Sequence, residues 1–492
     1  MAGHFIKEKA APLLIIAVIA IVAYLPALTQ PFISDDYVII KPALYYGAIS
    51  GWGSLANDQV ERPRAMAFVL AYAVHKLFGM RPAAFYSASI LLHVLNCWLL
   101  FAAGRWRAIG YKASFWAAVF FAVYEGHSEA IMWFAACHEL LIFLFGFLSF
   151  VFWLIFLERE TARLRWLALS FLSFLPALLS KESAVIFVAL FALPLFFPKP
   201  RLRQGLYLLP HALICIPYVI SIFMSRSQSL RFHNQSFVLS APFWITWPVS
   251  YGRMLWFWGL SAAISLFVWS RSDRNDRIAE PGHRDTEAQR QEDRGTERER
   301  ERGKEGQREQ ERSVSPSLFP SFSLSLWLSV SVAKILHSQS AILVSVLWMG
   351  IGFIPYMFVD YMHRIPSRQT YLASAGLGWL MGVAIIAMKE RYAKNYKWAP
   401  VVILLVILTH NIAYLWTKKH RQYLERAEPT ERLLSLARSV DGPIYVKCFP
   451  SNLGQVHAEA ALSLILNKPA NTLIWNEEEA RKRPPAATFC YE

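Results

Sequence analysis

Two adjacent carboxylates, Asp35 and Asp36, stand in "TQPFISDDYVII", directly after the first apolar run of the chain. An acidic doublet at the outer mouth of a many-span protein points to chemistry at a bilayer surface, because a carboxylate there can take a proton from an acceptor hydroxyl. Other polar groups break apolar surroundings in the same way. "YEGHSEAIMW" carries Glu125, His127 and Glu129; "SKES" carries Lys181 and Glu182; "DYMHRIPSRQTY" carries Asp360, His363, Arg364 and Arg368. Arginine and histidine suit the neutralisation of a departing phosphate, where planar bidentate donors are favoured. A charge at the bilayer centre costs about 2.5–3.5 kcal/mol on insertion scales, so such residues at span ends face a cavity and partner one another.

Taken singly, each group has a plainer reading. The Asp doublet is a solvated loop, and Lys181–Glu182 is a structural pair capping a tight turn. Arg364 and Arg368 are headgroup anchors, and His127 is a hydrogen-bonded loop histidine. Their coincidence on one face is what favours the functional reading. No metal-ligand spacing is found, and the sequence does not fix whether a divalent cation is needed. A phosphate-binding G-x-x-x-x-G-K-[ST] loop and an evident dinucleotide fingerprint are both missing. The donor phosphate is therefore read as one carried by a lipid, whose chain stays in hydrocarbon while its head reaches water.

The elements that must position these groups are membrane spans. Hydrophobic residues make up 55% of the 492 and aromatics 15%, in continuous rather than alternating runs, which selects helices over barrel strands. A hydrocarbon core of about 30 Å needs roughly 20 helical residues. The expected fold is an all-α polytopic membrane protein of about eleven spans: 11–29, 83–103, 113–124, 136–157, 166–180, 183–197, 205–224, 242–269, 341–359, 371–388 and 398–416. The third, fifth and sixth are short. Residues 63–82 are semi-polar and read as an amphipathic helix in the outer interface. Counting from a cytoplasmic N-terminus places the basic loops "RWRAIGYK", "PKPRLR" and "KERYAKNYK" inside, as lysine and arginine distribution requires. The four polar clusters then all fall outside.

This divides the chain into a catalytic membrane module, 1–270, with a first exported loop at 30–82. A charged and then Ser-rich insertion, 271–338, is low in complexity and expected to be disordered and cytoplasmic. Further spans follow at 339–416, and a small exported α/β appendage at 417–492. Of five cysteines, Cys97, Cys137 and Cys215 lie in apolar segments as small hydrophobes. Cys448 and Cys490 sit in the tail and can pair if it is exported. The net charge of +15 is spread over short loops, so no nucleic-acid partner is expected.

In order along the chain, "ISDDYVI", "RPRAMAF", "LFGMRPAAFYSASILLHVLNCWLLF", "AAVFFAVYEGHSEAIMWFAACHELL", "LLSKESAVIF" and "PSRQTYLASAGLGWLMG" resemble the GT-C membrane glycosyltransferases. The likeness is to relatives of the dolichyl-phosphate-mannose protein mannosyltransferases, including the transmembrane-and-tetratricopeptide type, over roughly residues 10–390 without the insertion. The resemblance implies inverting transfer of a monosaccharide from a polyprenyl or dolichyl phosphate to an acceptor hydroxyl in the exoplasmic space. On it, Asp35 is the general base and Asp36 its support or second acid. His127 and Glu129 answer the H-x-E element, Lys181 and Glu182 the "SKE" element, and Arg368 and Tyr371 the late Arg-x-x-Tyr element, with Arg368 on the phosphate and Lys181, His127 or His363 assisting. Three features depart from the pattern: "ACHELL", with His138 and Glu139, in place of an Arg-x-Asp-like element; no tetratricopeptide repeats; and the charged insertion. Lack of the repeats favours a bacterial inner membrane. Partners are then a lipid-linked sugar donor, membrane lipids and a protein, lipid or glycan acceptor. A transporter or flippase for a polyprenyl-linked glycan, and an oligosaccharide ligase or polymerase, are the rival readings.

Overall fold

A computed structural model describes residues 2–58, 60–159, 163–198, 200–224, 242–267, 339–357, 365–392, 398–450 and 454–491. The insertion, Asp360, His363 and Arg364 lie outside the described residues. The chain is a polytopic helical membrane protein with a small sheet near its C-terminus. Helices occupy all eleven expected segments, but they are not equal in length. Among the described residues, six elements are long and apolar enough to cross a membrane: Ala10–Thr29, Pro82–Arg105, Phe134–Glu158, Leu202–Met224, Gln339–Tyr356 and Val401–Ser439. Tyr111–Val123, Glu182–Phe196 and Trp258–Phe267 are apolar but shorter. At 1.5 Å per residue, 13 residues reach only about 20 Å. The eleven expected segments therefore divide into full spans and shorter helices, and the third and sixth are among the shorter ones, as expected.

Two ends of the bundle can be told apart by contacts. Arg105 bonds Glu158 at 2.9 Å, Arg201 donates to the Leu157 carbonyl at 2.6 Å, and Trp106 donates to the Phe197 carbonyl at 3.0 Å. Lys112 and Lys389 line one cavity of about 550 Å³ with Phe115 and Trp116. The described parts of the three basic loops thus share contacts at one end of the bundle. The span Phe134–Glu158 acts as a ruler, because Glu158 marks that end and Glu139 marks the other.

Packing in the bundle relies on aromatics and on small residues. Trp348 and Trp379 meet edge to face with centroids 4.9 Å apart, and both are fully buried. The helix Ser374–Tyr392 runs close against Tyr111–Val123. A Cβ on Gly382 would collide with the Ala113 carbonyl oxygen, which is the small-residue contact that lets membrane helices approach. Outward-facing Leu14, Val18, Leu213, Ile216, Val402 and Leu405 are exposed, as lipid-facing side chains are.

At the end away from the basic loops, helix Ser34–Tyr46 follows the first span and helix Ala65–Phe78 packs on it, with Phe68 against Tyr46. The latter is 14 residues long and lies where the semi-polar helix was expected. The last span does not stop near residue 416. Ala399–Tyr414 passes through a π-helical turn, Leu415–Lys419, into His420–Ser439 without a break, so the tail is held by a continuous rod. Beyond it, strand Ile444–Cys448 is central in an all-parallel sheet, flanked by Leu473–Ile474 and Ala487–Cys490, with helix Gly454–Leu466 between the first two strands. Cys448 and Cys490 are disulfide-bonded across the pair of longer strands.

Candidate active site

The adjacent aspartates occupy the first turn of helix Ser34–Tyr46, and helical phase sends them in different directions. Asp36 points inward and is fully buried. Its Oδ2 accepts from the Ile33 N–H at 2.9 Å and the Tyr86 hydroxyl at 3.0 Å, and its Oδ1 accepts from the Ala135 N–H at 2.7 Å. It therefore pins the first loop to the 133–136 segment. Burial pushes the carboxyl up to about 7, against the opposing pull of those three donors. Asp35 points outward with its side chain 40% exposed, and its Oδ1 lies 2.6 Å from Nε2 of His457.

Asp36→Asn tests the pinning role. One of two accepting oxygens becomes an NH₂ facing a backbone or hydroxyl donor, so a loss of about 1–3 kcal/mol is expected, read as a lowered unfolding midpoint in detergent. The sign of the pH effect follows from the raised carboxyl. Between about pH 4 and 7 the folded chain keeps a proton that the unfolded chain releases, so this contribution is full below pH 4 and lost as pH rises through 7. The Asn variant should lack that decline.

Glu129 and Arg368 form an ion pair. Glu129 Oε2 also accepts from Ser367 Oγ at 2.6 Å and the Arg368 N–H at 3.1 Å. Burial alone would raise the Glu129 carboxyl, but the Arg368 guanidinium and these donors hold it below the usual range. The guanidinium lies 4.9 Å over the Trp133 ring. Arg426, from the rod that carries the tail, lies 5.9 Å from the same ring. Trp133 is two residues from Ala135, which bonds Asp36. The Asp35–Asp36 loop and Arg368 therefore meet on one segment, at one end of the bundle.

A second ion pair joins Lys181 to Glu139. Glu139 also accepts from the Tyr356 hydroxyl at 2.8 Å, and Lys181 Nζ lies 5.0 Å over the Tyr356 ring. Glu182 opens the 3-10 turn Glu182–Ile186 beside it. His138 is buried nearby and within electrostatic reach of Arg64, Lys181 and Arg368. Among the described residues neither Arg64 nor Arg426 forms a close ion pair with a carboxylate, although Glu61 lies within electrostatic reach of Arg64. Among those residues, too, no three His, Cys, Asp or Glu side chains converge to hold a metal ion.

His127 and Tyr371 stand apart from this cluster. Both are fully buried. The His127 ring nitrogens face the Phe121 carbonyl at 3.0 Å and Ser374 Oγ at 2.6 Å, while the Tyr371 hydroxyl meets His93 Nδ1 at 2.6 Å and Asn96 at 3.3 Å. Aromatic packing draws them inward, with His127 centroids 4.2 Å from Phe121 and 4.5 Å from Tyr371. The expected donor-binding role does not suit residues sealed in this way, and their polar atoms tie the core together.

Sequence reasoning gave no site role to Arg64, Arg426 or His457, and noted His138 and Glu139 only as departures from a pattern. Arg64 sat in an interfacial helix, and the two tail residues lie more than 400 and nearly 300 positions from Asp35 and Trp133, where local spacing carries no signal. "ACHE", two charged or polar residues opening a 22-residue apolar helix, was the one local sign available.

No family model and no curated protein matches the chain. Solved structures similar to it include ArnT from Cupriavidus metallidurans bound to undecaprenyl phosphate, at TM-score 0.46 and 13% identity over 98% of this chain and 90% of that one. Another is the archaeal oligosaccharyltransferase AglB from Archaeoglobus fulgidus, in complex with an inhibitory peptide and a dolichol-phosphate, at TM-score 0.47 and 11% identity over 98% and 67%. The oligosaccharyltransferase of that organism in the apo form gives 0.47 and 11% over 92% and 63%. The chain spans about two thirds of the oligosaccharyltransferase length. At these scores the likeness is one of general helical course and says nothing about substrate.

Proposed function

We propose that this protein is an inverting glycosyltransferase that moves a monosaccharide from a polyprenyl or dolichyl phosphate to an acceptor hydroxyl at the exported face of a membrane. One observation carries the reading. A group of cations, Arg64, Arg368 and Arg426 with Lys181 nearby, gathers around the 129–139 segment at the end of the bundle where the outward-facing Asp35 also lies. Clustered guanidinium groups suit a phosphate, and a half-exposed carboxylate suits a hydroxyl.

In this reading Asp35 takes the acceptor proton as the hydroxyl oxygen bonds the anomeric carbon. The carbon–oxygen bond to the lipid phosphate breaks, and phosphate leaves with the electron pair, held by Arg368 with Lys181. A single displacement by one base, without an enzyme-bound nucleophile, inverts the anomeric centre. Phosphate is already a good leaving group, so placement of positive charge matters more than an added acid.

The tail's Cys448–Cys490 bond fits an oxidising compartment. The basic loops at the opposite end fit the cytoplasm. Together they support an integral membrane enzyme facing the exterior, with a bacterial inner membrane preferred. The rival flippase would spread polar groups toward the midplane and both faces.

Purified protein incubated with a labelled polyprenyl-monophosphate sugar separates the readings. Release of polyprenyl phosphate with an inverted product is the expected result. Translocation without cleavage favours the flippase, and turnover only of a lipid-diphosphate oligosaccharide favours the ligase.

A further inference from the structure

The C-terminal unit touches the proposed base directly. His457 sits on helix Gly454–Leu466, which packs along helix Ser34–Tyr46. Its Nε2 lies 2.6 Å from Asp35 Oδ1, with the imidazole side chain only 7% exposed against 40% for the carboxylate. The other ring nitrogen, Nδ1, is buried and has no hydrogen-bond partner among the described residues. Among the described residues the hydrogen bond to Asp35 is thus the single polar contact that accounts for a polar ring in this place. An apolar ring of the same shape would fill the space without leaving a buried nitrogen unpaired.

Docking of the tail does not hang on this bond. Tyr37 donates to Glu431 at 3.4 Å, and Ser34 Oγ and Thr430 Oγ1 lie 3.4 Å apart. Tyr37, Leu433, Leu434, Ala458 and Ala461 are buried in the common apolar core. If His457 served only to attach the tail, it would be one weak polar contact beside a large apolar one.

We propose that His457 is a positioning residue for Asp35, and that the C-terminal unit is therefore a working part of the active site. The inference rests on the reading of Asp35 as the base. The Nε2–H donates to Oδ1, holds the carboxylate in one rotamer and leaves Oδ2 to take the acceptor's proton. A base fixed in this way meets the acceptor hydroxyl in a productive orientation more often than one free to rotate about χ1 and χ2. Helix 454–466 must come from the far end of the chain to do this, and the continuous rod Ala399–Ser439 brings it there. The proton transfer itself stays with Asp35. His457 touches neither substrate nor reacting atoms.

Three substitutions in the full-length protein test this, with donor turnover and tail docking both measured. His457→Phe keeps ring and packing but removes the donor; kcat should fall about 10- to 100-fold with the KM for the polyprenyl-phosphate sugar unchanged. His457→Gln puts an amide N–H at the place of Nε2 and should recover turnover to within a few-fold of wild type. His457→Ala should behave as Phe does, while limited proteolysis shows the tail still docked. Wild-type turnover in the Phe variant overturns the proposal. So does a loss that Gln fails to restore, or one that tracks release of the tail. A wild-type protein that cleaves no lipid-phosphate sugar would instead sink the function proposed above, and this inference with it. Active wild type with active His457→Phe sinks this inference alone.

Discussion

Replacing Asp35 by Asn is expected to lower kcat by about three orders of magnitude while the protein still inserts and folds. General-base catalysis contributes typically 10²–10⁴-fold, and Asn cannot take up the acceptor's proton. It can, however, still accept the His457 hydrogen bond at its carbonyl oxygen, so the docked tail should be undisturbed. The side chain is 40% exposed and makes no other bond among the described residues, so little folding energy is at stake. Donor affinity should not move, because the phosphate-facing cations lie on other segments. A kcat-only loss is therefore the signature, measured as release of polyprenyl phosphate from labelled donor at saturating concentration. Undiminished turnover in this variant would falsify the assignment of the base. A matching rise in KM would show that Asp35 holds substrate rather than activating it.

Much of this architecture was legible because hydrophobic runs and basic loops follow bilayer thickness and charge asymmetry, which are local properties. The eleven segments, the helix after Arg64 and the α/β character of the tail come from patterns within a few turns of chain. The site is different, because it is assembled from contacts between distant elements. Which of two neighbouring aspartates faces inward depends on the phase of one helix against Tyr86 and Ala135, and sequence alone treats Asp35 and Asp36 alike. His127 reads as a loop residue by spacing, yet three aromatic rings and Ser374 seal it in the core. Arg426 reaches Trp133 and His457 reaches the first loop only because the last span continues as a rod, where a break near residue 416 was expected. Partner choice also shifted. Lys181 pairs with Glu139 rather than with its neighbour Glu182, because side chains adjacent in sequence diverge at the start of a 3-10 turn.

Removing the Arg368 charge is the second large expected effect, and it must be separated from simple unfolding. Arg368→Gln leaves Glu129, whose side chain is 13% exposed, without its counter-ion. A buried charge stripped of its partner costs about 3–5 kcal/mol, so the single variant confounds loss of fold with loss of function. The double variant Glu129→Gln with Arg368→Gln removes both charges. Ser367 Oγ and the main-chain N–H at position 368 keep an acceptor, because the glutamine introduced at position 129 still offers its amide oxygen. Thermal stability should return most of the way toward wild type in the double variant. Turnover should not: the departing phosphate would lose its stacked, planar donor over Trp133, and loss of one such stabilising group lowers kcat about 10²–10³-fold. Arg368→Lys should fall between, since an ammonium keeps the charge but not the fork that serves Glu129 and the anion together. If the double variant recovers both stability and turnover, Arg368 is a clasp between the 129–133 and 367–370 segments, and the phosphate must be held by Arg64, Lys181 and Arg426 without it.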